Sequence, residues 1–258
     1  MRLKCAGLTD TGMVRDHNED NFFISTSESF VIVADGMGGH QSGEVASGMA
    51  VETISKYYEE TEKQEEPIEL ETWPYGKKKP KSREERRLIA AITKANARIH
   101  QASTETPEYK GMGTTTVGVY VVKEGVFIAH VGDSRCYRFR KGEIKQMTED
   151  HSLANEYIRS NILKPEDLPN FPYKNVITRA VGLAPTVEVE THFYEHEDGD
   201  IYILCSDGLS DPVKEPQMRD ILEQHQDDLK EACRQLIIAA NMNGGPDNVT
   251  ALLAKIVY

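Results

Sequence analysis

The chain has 258 residues, 39% apolar and 28% charged, long enough to bury a core without disulfide or metal staples and too ordinary for a disordered, collagen-like or membrane-embedded protein. Its 30 basic and 42 acidic residues give a net charge of −12, which argues against a surface built to grip nucleic acid or an anionic membrane and favours cation binding. Cys5, Cys136, Cys205 and Cys233 include no pair at zinc-knuckle or redox spacing, and no apolar run makes a secretory signal or nears the ~20 residues of a membrane span, so reduced thiols and a cytoplasmic location are expected.

In chain order, runs dense in β-branched and aromatic residues predict strands at 21–25, 30–34, 114–122, 126–131, 134–140, 201–205 and 248–257. The links at 27–29, 123–125 and 132–133 are so short that each is expected to close a hairpin, making the sheets at least partly antiparallel. Runs 30–34 and 201–205 are apolar almost without alternation, the pattern of strands covered on both faces. Helical spacing predicts helices over 43–62, 83–103 and 216–241. Between the first two helices, an acidic block followed by a basic one over about 59–87 reads as a solvated insertion, too short to divide the chain, so one domain, 1–258, is expected.

Three predicted strands run into an aspartate, Asp35, Asp133 and Asp207, each followed by Gly or Ser, while Asp20 and Asp247 stand where strands begin. A lone aspartate at such a place is usually a turn former or helix cap. The repetition points elsewhere. Antiparallel neighbours share an edge, so these carboxylates can converge there, and packed carboxylates repel one another unless cations neutralise them. Oxygen ligands without paired His or Cys favour magnesium or manganese over zinc.

The segments TGMVRDHNEDNF, VADGMGGHQSGEVAS, MGTTTVGV, HVGDSRCYRF, DHSL, ITRAVG, LCSDGLSDPV and GGPDNVTALL resemble, in order and along nearly the whole chain, the metal-dependent protein phosphatases (type 2C, PPM) in their simple bacterial form. The resemblance implies an α/β (α+β) sandwich, two central antiparallel β-sheets flanked on each side by pairs of helices. It implies hydrolysis of phosphoserine and phosphothreonine in proteins, reversing the action of a cognate bacterial Ser/Thr kinase. It further implies two Mn2+ or Mg2+ ions and a third, weaker one. Asp35 would bridge the pair, Asp207 and Asp247 would complete one ion, and the Gly36 carbonyl and Glu19 would help hold the other, with Asp20 acting through water. Asp133, Asp207 and Asp211 match the third site; Asp211 equally fits a helix cap before Pro212. The paired ions would share a hydroxide that attacks phosphorus in line, without a protein nucleophile.

Arg15 matches the family's phosphate-binding arginine, whose fork suits two phosphate oxygens, and read alone is equally a surface ion pair. Met37 stands where many eukaryotic members carry histidine and cannot donate a proton, leaving water on a metal or His40, itself readable as an ordinary loop histidine, to protonate the leaving alkoxide. Thr114 reads as a strand residue or a support for the ligands, and about 152–175, with Pro165, Pro169 and Pro172, matches the family's mobile flap. The expected partners are phosphorylated proteins and that kinase, with no nucleic acid and no membrane insertion, and the chain is expected to be a monomer. Intact metal-ligand acids speak against an inactive binding module, and the missing basic stripe speaks against a two-metal nuclease.

Overall fold

The computed structural model describes residues 2–25, 27, 29–38, 42–62, 80 and 82–258. Its strands are β1 (Arg2–Asp10), β2 (Asp20–Ile24), β3 (Phe30–Met37), β4 (Gly113–Thr114), β5 (Thr116–Val122), β6 (Gly125–Val131), β7 (Arg135–Arg140), β8 (Glu143–Gln146), β9 (Glu190–Tyr194), β10 (Ile201–Cys205) and β11 (Val249–Val257). Its helices are α1 (Ser42–Thr61), α2 (Arg83–Glu105), α3 (Leu153–Arg159), α4 (Asp207–Ser210), α5 (Glu215–His225) and α6 (Leu229–Met242). One sheet runs β1-β11-β10-β7-β8 and the other β2-β3-β5-β6-β9, with β4 added at the end of β3, and every pairing is antiparallel.

The unbroken apolar runs have a simple cause. Side chains alternate across a strand, and both faces of each sheet are covered. Val31 and Val33 of β3 enter the layer between the sheets with Tyr202 and Leu204 of β10. Phe30, Ile32 and Ala34 face Ala46, Ala50 and Ile54 of α1 and the apolar side of α2. Ile201, Ile203 and Cys205 face Leu222 of α5 and Leu236 of α6 on the opposite outside. Helix pair, sheet, sheet and helix pair therefore stack as the resemblance implies.

Three expectations need correction. The 132–133 link is no hairpin, because β6 is already flanked by β5 and β9, so β7 crosses to the other sheet and pairs with β10 and β8. Gly132 makes the crossing with φ of 105°, and a Cβ there would lie 2.7 Å from the Thr115 side chain. The helix expected over 216–241 is two, since the Asp228 carboxylate accepts from Glu231 N at 3.1 Å and starts α6 afresh. Residues 153–159, without a clear period in sequence, form α3, where Ser152 Oγ accepts from Asn155 N at 3.3 Å. Of the charged insertion, 63–79 and 81 lie outside the described residues.

Where the insertion leaves and rejoins the fold, α1 and α2 are joined by a buried cation. Arg87, 1% exposed, donates to Thr61 Oγ1 at 2.7 Å, to Tyr120 Oη at 3.2 Å and to the Tyr58 carbonyl, and its guanidinium lies 3.9 Å from the Tyr58 ring centroid. Arg83 donates to the Thr61 carbonyl at 2.8 Å. Both arginines thus serve the C-terminal end of α1, where the helix dipole favours positive charge. Arg87→Ala should lower the stability of the fold by about 2–4 kcal/mol in urea denaturation, from lost charged hydrogen bonds and cation–π contact. An unchanged midpoint would show that apolar packing alone holds the two helices together.

Candidate metal centre

Asp20 and Asp35 face each other directly across β2 and β3. Contrary to the sequence expectation, β3 does not stop before its acid: it continues through Gly36, opposite Thr114, to Met37, opposite Gly113. From the other sheet, Asp207 opens α4 after β10, and Asp247 lies two residues before β11. Asp133 sits in the crossing from β6 to β7. The crossing that replaced the expected hairpin therefore carries a carboxylate to the end of the stack where both sheets deliver theirs.

The proton affinities report this crowding. Asp35 is held well above the usual carboxylate range by burial, then by the charges of Asp20, Asp207, Asp133 and Asp247. Asp207 is pushed up to about 7 by burial, then by Asp133, Asp247, Asp211 and Asp20. Asp20 rises to about 6 through burial, although hydrogen bonds from Thr250 and Ser206 favour its ionised form. Asp133 rises to about 6 through burial and then the charge of Asp150. A set of hard oxygen donors that cannot all ionise by themselves fits divalent magnesium or manganese.

The remaining predicted residues fall around this group. Arg15, half-exposed, places one guanidinium nitrogen 2.7 Å from Asp247 Oδ2, so it is an ion pair and it also stands beside the centre. Glu19 reaches toward the start of α1, where a Cβ on Gly43 would lie 2.7 and 2.8 Å from its carboxylate oxygens. Gly36 N donates to the Glu19 carbonyl at 3.1 Å, and a Cβ on Gly36 would fall 2.1 Å from the Gly43 carbonyl oxygen, so only glycine fits. Asp211 follows α4 and bears on both Asp133 and Asp207; it does not cap the next helix, because α5 starts at Glu215 with Lys214 in the cap position. Thr114 Oγ1 donates to the Asp35 backbone carbonyl at 2.8 Å, supporting the strand under the carboxylate. His40 lies outside the described residues.

Several residues the sequence reading passed over hold these acids in place. Buried Asn248 accepts from Glu19 N at 2.8 Å and donates to the carbonyls of Thr11 and His17 at 3.0 and 2.9 Å, pinning the loop between β1 and β2. Ser206 Oγ and Thr250 Oγ1 each donate to Asp20 Oδ2 at 2.7 Å, tying β2 to the opposite sheet. With Thr250 donating to a carboxylate, Thr9 must donate to Thr250 (2.7 Å), and Asn18 Nδ2 in turn donates to Thr9 (2.8 Å). The only signal in sequence is that polar residues interrupt apolar strands beside the acids.

A cleft of about 460 Å³ opens from Asp133, Asp207 and Asp211 and is walled by Arg135, Asp150, Asn155, Lys174 and Lys214. Arg135 grips Asp150 through Nε and a terminal nitrogen at 3.0 and 2.7 Å. Behind that wall, His130 and His151 stack with centroids 4.6 Å apart and planes 10° from parallel. Parallel rings cannot aim their in-plane lone pairs at one ion, which argues against a second metal centre: His130 is hydrogen-bonded to the Glu149 carbonyl at 2.9 Å, and His151 meets Glu190. Gly132 N donates to His151 Nδ1 at 3.0 Å, and His151 Nε2 lies 3.2 Å from Glu190 Oε2 and 3.1 Å from an Arg179 guanidinium nitrogen. Ser152 bridges to Ile177 beside this cluster, closing the root of the segment that carries α3.

The sequence profile described as Protein phosphatase 2C matches residues 14–243, and the chain belongs to that family. It is 40% identical over 250 residues to the serine/threonine phosphatase stp of Listeria welshimeri, covering 96% of this chain and 93% of that one. The crystal structure of the Mycobacterium tuberculosis serine/threonine phosphatase PstP/Ppp superposes with a TM-score of 0.86 at 31% identity, covering 100% of both chains. A structure of the PstP catalytic domain in complex with 2 manganese ions superposes with a TM-score of 0.80 at 30% identity over 99% of each chain.

A raised carboxylate pKa stabilises the fold below the pKa of the unfolded chain, near 3.9, and that contribution is lost as pH rises through the folded value. For Asp20 and Asp133 at about 6 and Asp207 at about 7, the metal-free protein should lose stability up to neutral pH. Manganese displaces those protons, so the rise in melting temperature it produces should be larger at about pH 8 than at about pH 6. His130, pushed down to about 4, and His192, raised by Glu190, contribute equally with and without metal and cancel in the difference. An equal rise at both pH values would exclude these carboxylates as the ligands.

Proposed function

We propose that this chain is a metal-dependent phosphatase of phosphoserine and phosphothreonine in proteins, working in the cytoplasm as a monomer and reversing a cognate bacterial Ser/Thr kinase. The observation that carries the reading is the convergence of Asp20, Asp35, Asp133, Asp207 and Asp247 from both sheets, with Asp133 and Asp207 lining an open cleft and Arg15 paired with Asp247. No helix among the described residues is long and apolar enough to cross a membrane, and the relatives' phosphatase names support the activity.

Divalent ions bound there supply a nucleophile from water near neutral pH and positive charge against the phosphoryl oxygens. Asp35, Asp207, Asp247, Glu19 and the Gly36 carbonyl would hold two such ions, with Asp35 contributing to both. Asp20 orders water, held in place by Ser206 and Thr250. Asp133, Asp207 and Asp211 would hold a third, weaker ion. Arg15 exchanges its single contact with Asp247 for a two-pronged grip on phosphate. Met37, at the end of β3, has no proton to give, so the leaving alkoxide would take its proton from water or from His40.

Purified protein should release phosphate from a phosphothreonine peptide only with manganese or magnesium, and full turnover in a chelator would end this reading. Asp35→Asn should cut turnover by roughly a thousandfold or more, with the melting temperature of the metal-free protein preserved or raised, since one of the mutually repelling charges is gone. Unchanged manganese binding by calorimetry in that variant would remove Asp35 from the centre. Arg15→Ala should chiefly raise KM and Arg15→Lys should recover part of the loss, because lysine lacks the fork. A lowered kcat at constant KM would place the Arg15 contact in the transition state alone.

A further inference from the structure

The cleft has charges on its wall that hydrolysis of the phosphate does not use. Asp133, Asp207 and Asp211 on its floor belong to the metal centre, and Arg135 and Asp150 neutralise each other through a fork. Lys174, from the segment between α3 and β9, and Lys214, from the turn between α4 and α5, are left over. Among the described residues neither lysine makes an ion pair, in a chain whose acids outnumber its bases 42 to 30. Lys214 Nζ donates only to the Ser210 carbonyl, at 3.2 Å.

Lys214 also stands where helix physics disfavours it. It occupies the cap position of α5, an 11-residue helix whose N-terminus repels a cation and prefers Ser, Thr, Asp or Asn. Glu215, next to it, forms no ion pair with it. Ser210 adds an independent sign: it is 2% exposed, its hydroxyl has no hydrogen-bond partner, and with Lys214 it lines an adjoining cavity of about 230 Å³. An unspent cation, an unspent hydroxyl and a positive helix end at one place suit an anion brought from outside.

We infer that the cleft selects phosphoprotein segments carrying an acidic side chain, a carboxylate or a second phosphate, close to the residue being dephosphorylated, and that Lys174 and Lys214 determine this specificity. The inference rests on the phosphatase reading above. With the reacting phosphate at the acidic floor, the flanking chain lies along the cleft, whose size accommodates side chains rather than a whole domain. The two lysines are exposed, so the selectivity is modest, salt-sensitive and expressed in binding.

The test uses manganese-loaded protein and phosphothreonine peptides matched except for Gln, Glu or phosphoserine at the flanking positions, with nitrophenyl phosphate run alongside. Either acidic flank should raise kcat/KM roughly three- to tenfold over Gln, through KM, and the preference should shrink in about 0.5 M salt. The separate Glu and phosphoserine arms tell which anion the cleft takes. In the Lys174→Gln/Lys214→Gln double variant, normalised to its own rate on nitrophenyl phosphate, the preference should vanish. Equal kcat/KM for acidic and neutral peptides, or a preference that survives the double variant, would overturn the inference. If the wild type fails even on nitrophenyl phosphate, the phosphatase reading fails instead, and fluorescence anisotropy of the same labelled peptides still decides whether the cleft prefers acidic flanks.

Discussion

Mutual repulsion among carboxylates crowded at one end of two stacked sheets is the constraint around which this molecule is built. Burial raises the cost of each charge, and every neighbouring aspartate raises it again. The surroundings hold the acids where they would not stay unaided. Ser206 and Thr250 fix Asp20 from the opposite sheet, Thr114 fixes the backbone under Asp35, and Asn248 fixes the loop that presents Arg15 and Glu19. Glycine is needed where backbones meet: a Cβ on Gly208, next to Asp207, would fall 1.9 Å from the Asn248 carbonyl oxygen. Such preorganisation would let bound ions supply the missing charge without a rearrangement of these carboxylates.

The strands covered on both faces were legible because burial on both sides erases the polar alternation, as at 30–34 and 201–205. Strands β1, β8 and β9 were not, and each lies at an edge of its sheet, where polar and charged side chains are accommodated and the strand pattern fades. The hairpin inferred at 132–133 failed because a short link fixes only that two strands are neighbours in sequence; whether they share a sheet depends on which edges are already taken. The acids of the centre stood out through repetition at strand ends. Asn248, Ser206 and Thr250 had no such repetition, and their partners lie 229, 186 and 230 residues away, beyond any local pattern. For Lys214 the signal existed, a cation at a helix start, but it becomes readable only once α5 is known to begin at Glu215.

The pairing of β1 with β11 has a consequence for how the protein comes into being. Strand β11 lies between β1 and β10, and its register with β1 matches Arg2 to Val257 and Asp10 to Val249. Closing such a pair means closing a loop of almost the entire chain, a contact of the longest range and hence a slow step in folding. During synthesis β1 therefore waits with an unpaired edge until β11 leaves the ribosome, a period in which a chaperone or a stray strand can compete for it. Asp247 and Asn248 arrive with that same strand. A prematurely terminated chain lacks both a carboxylate of the centre and the clasp on the β1–β2 loop, so the order of synthesis itself keeps unfinished molecules from assembling the centre.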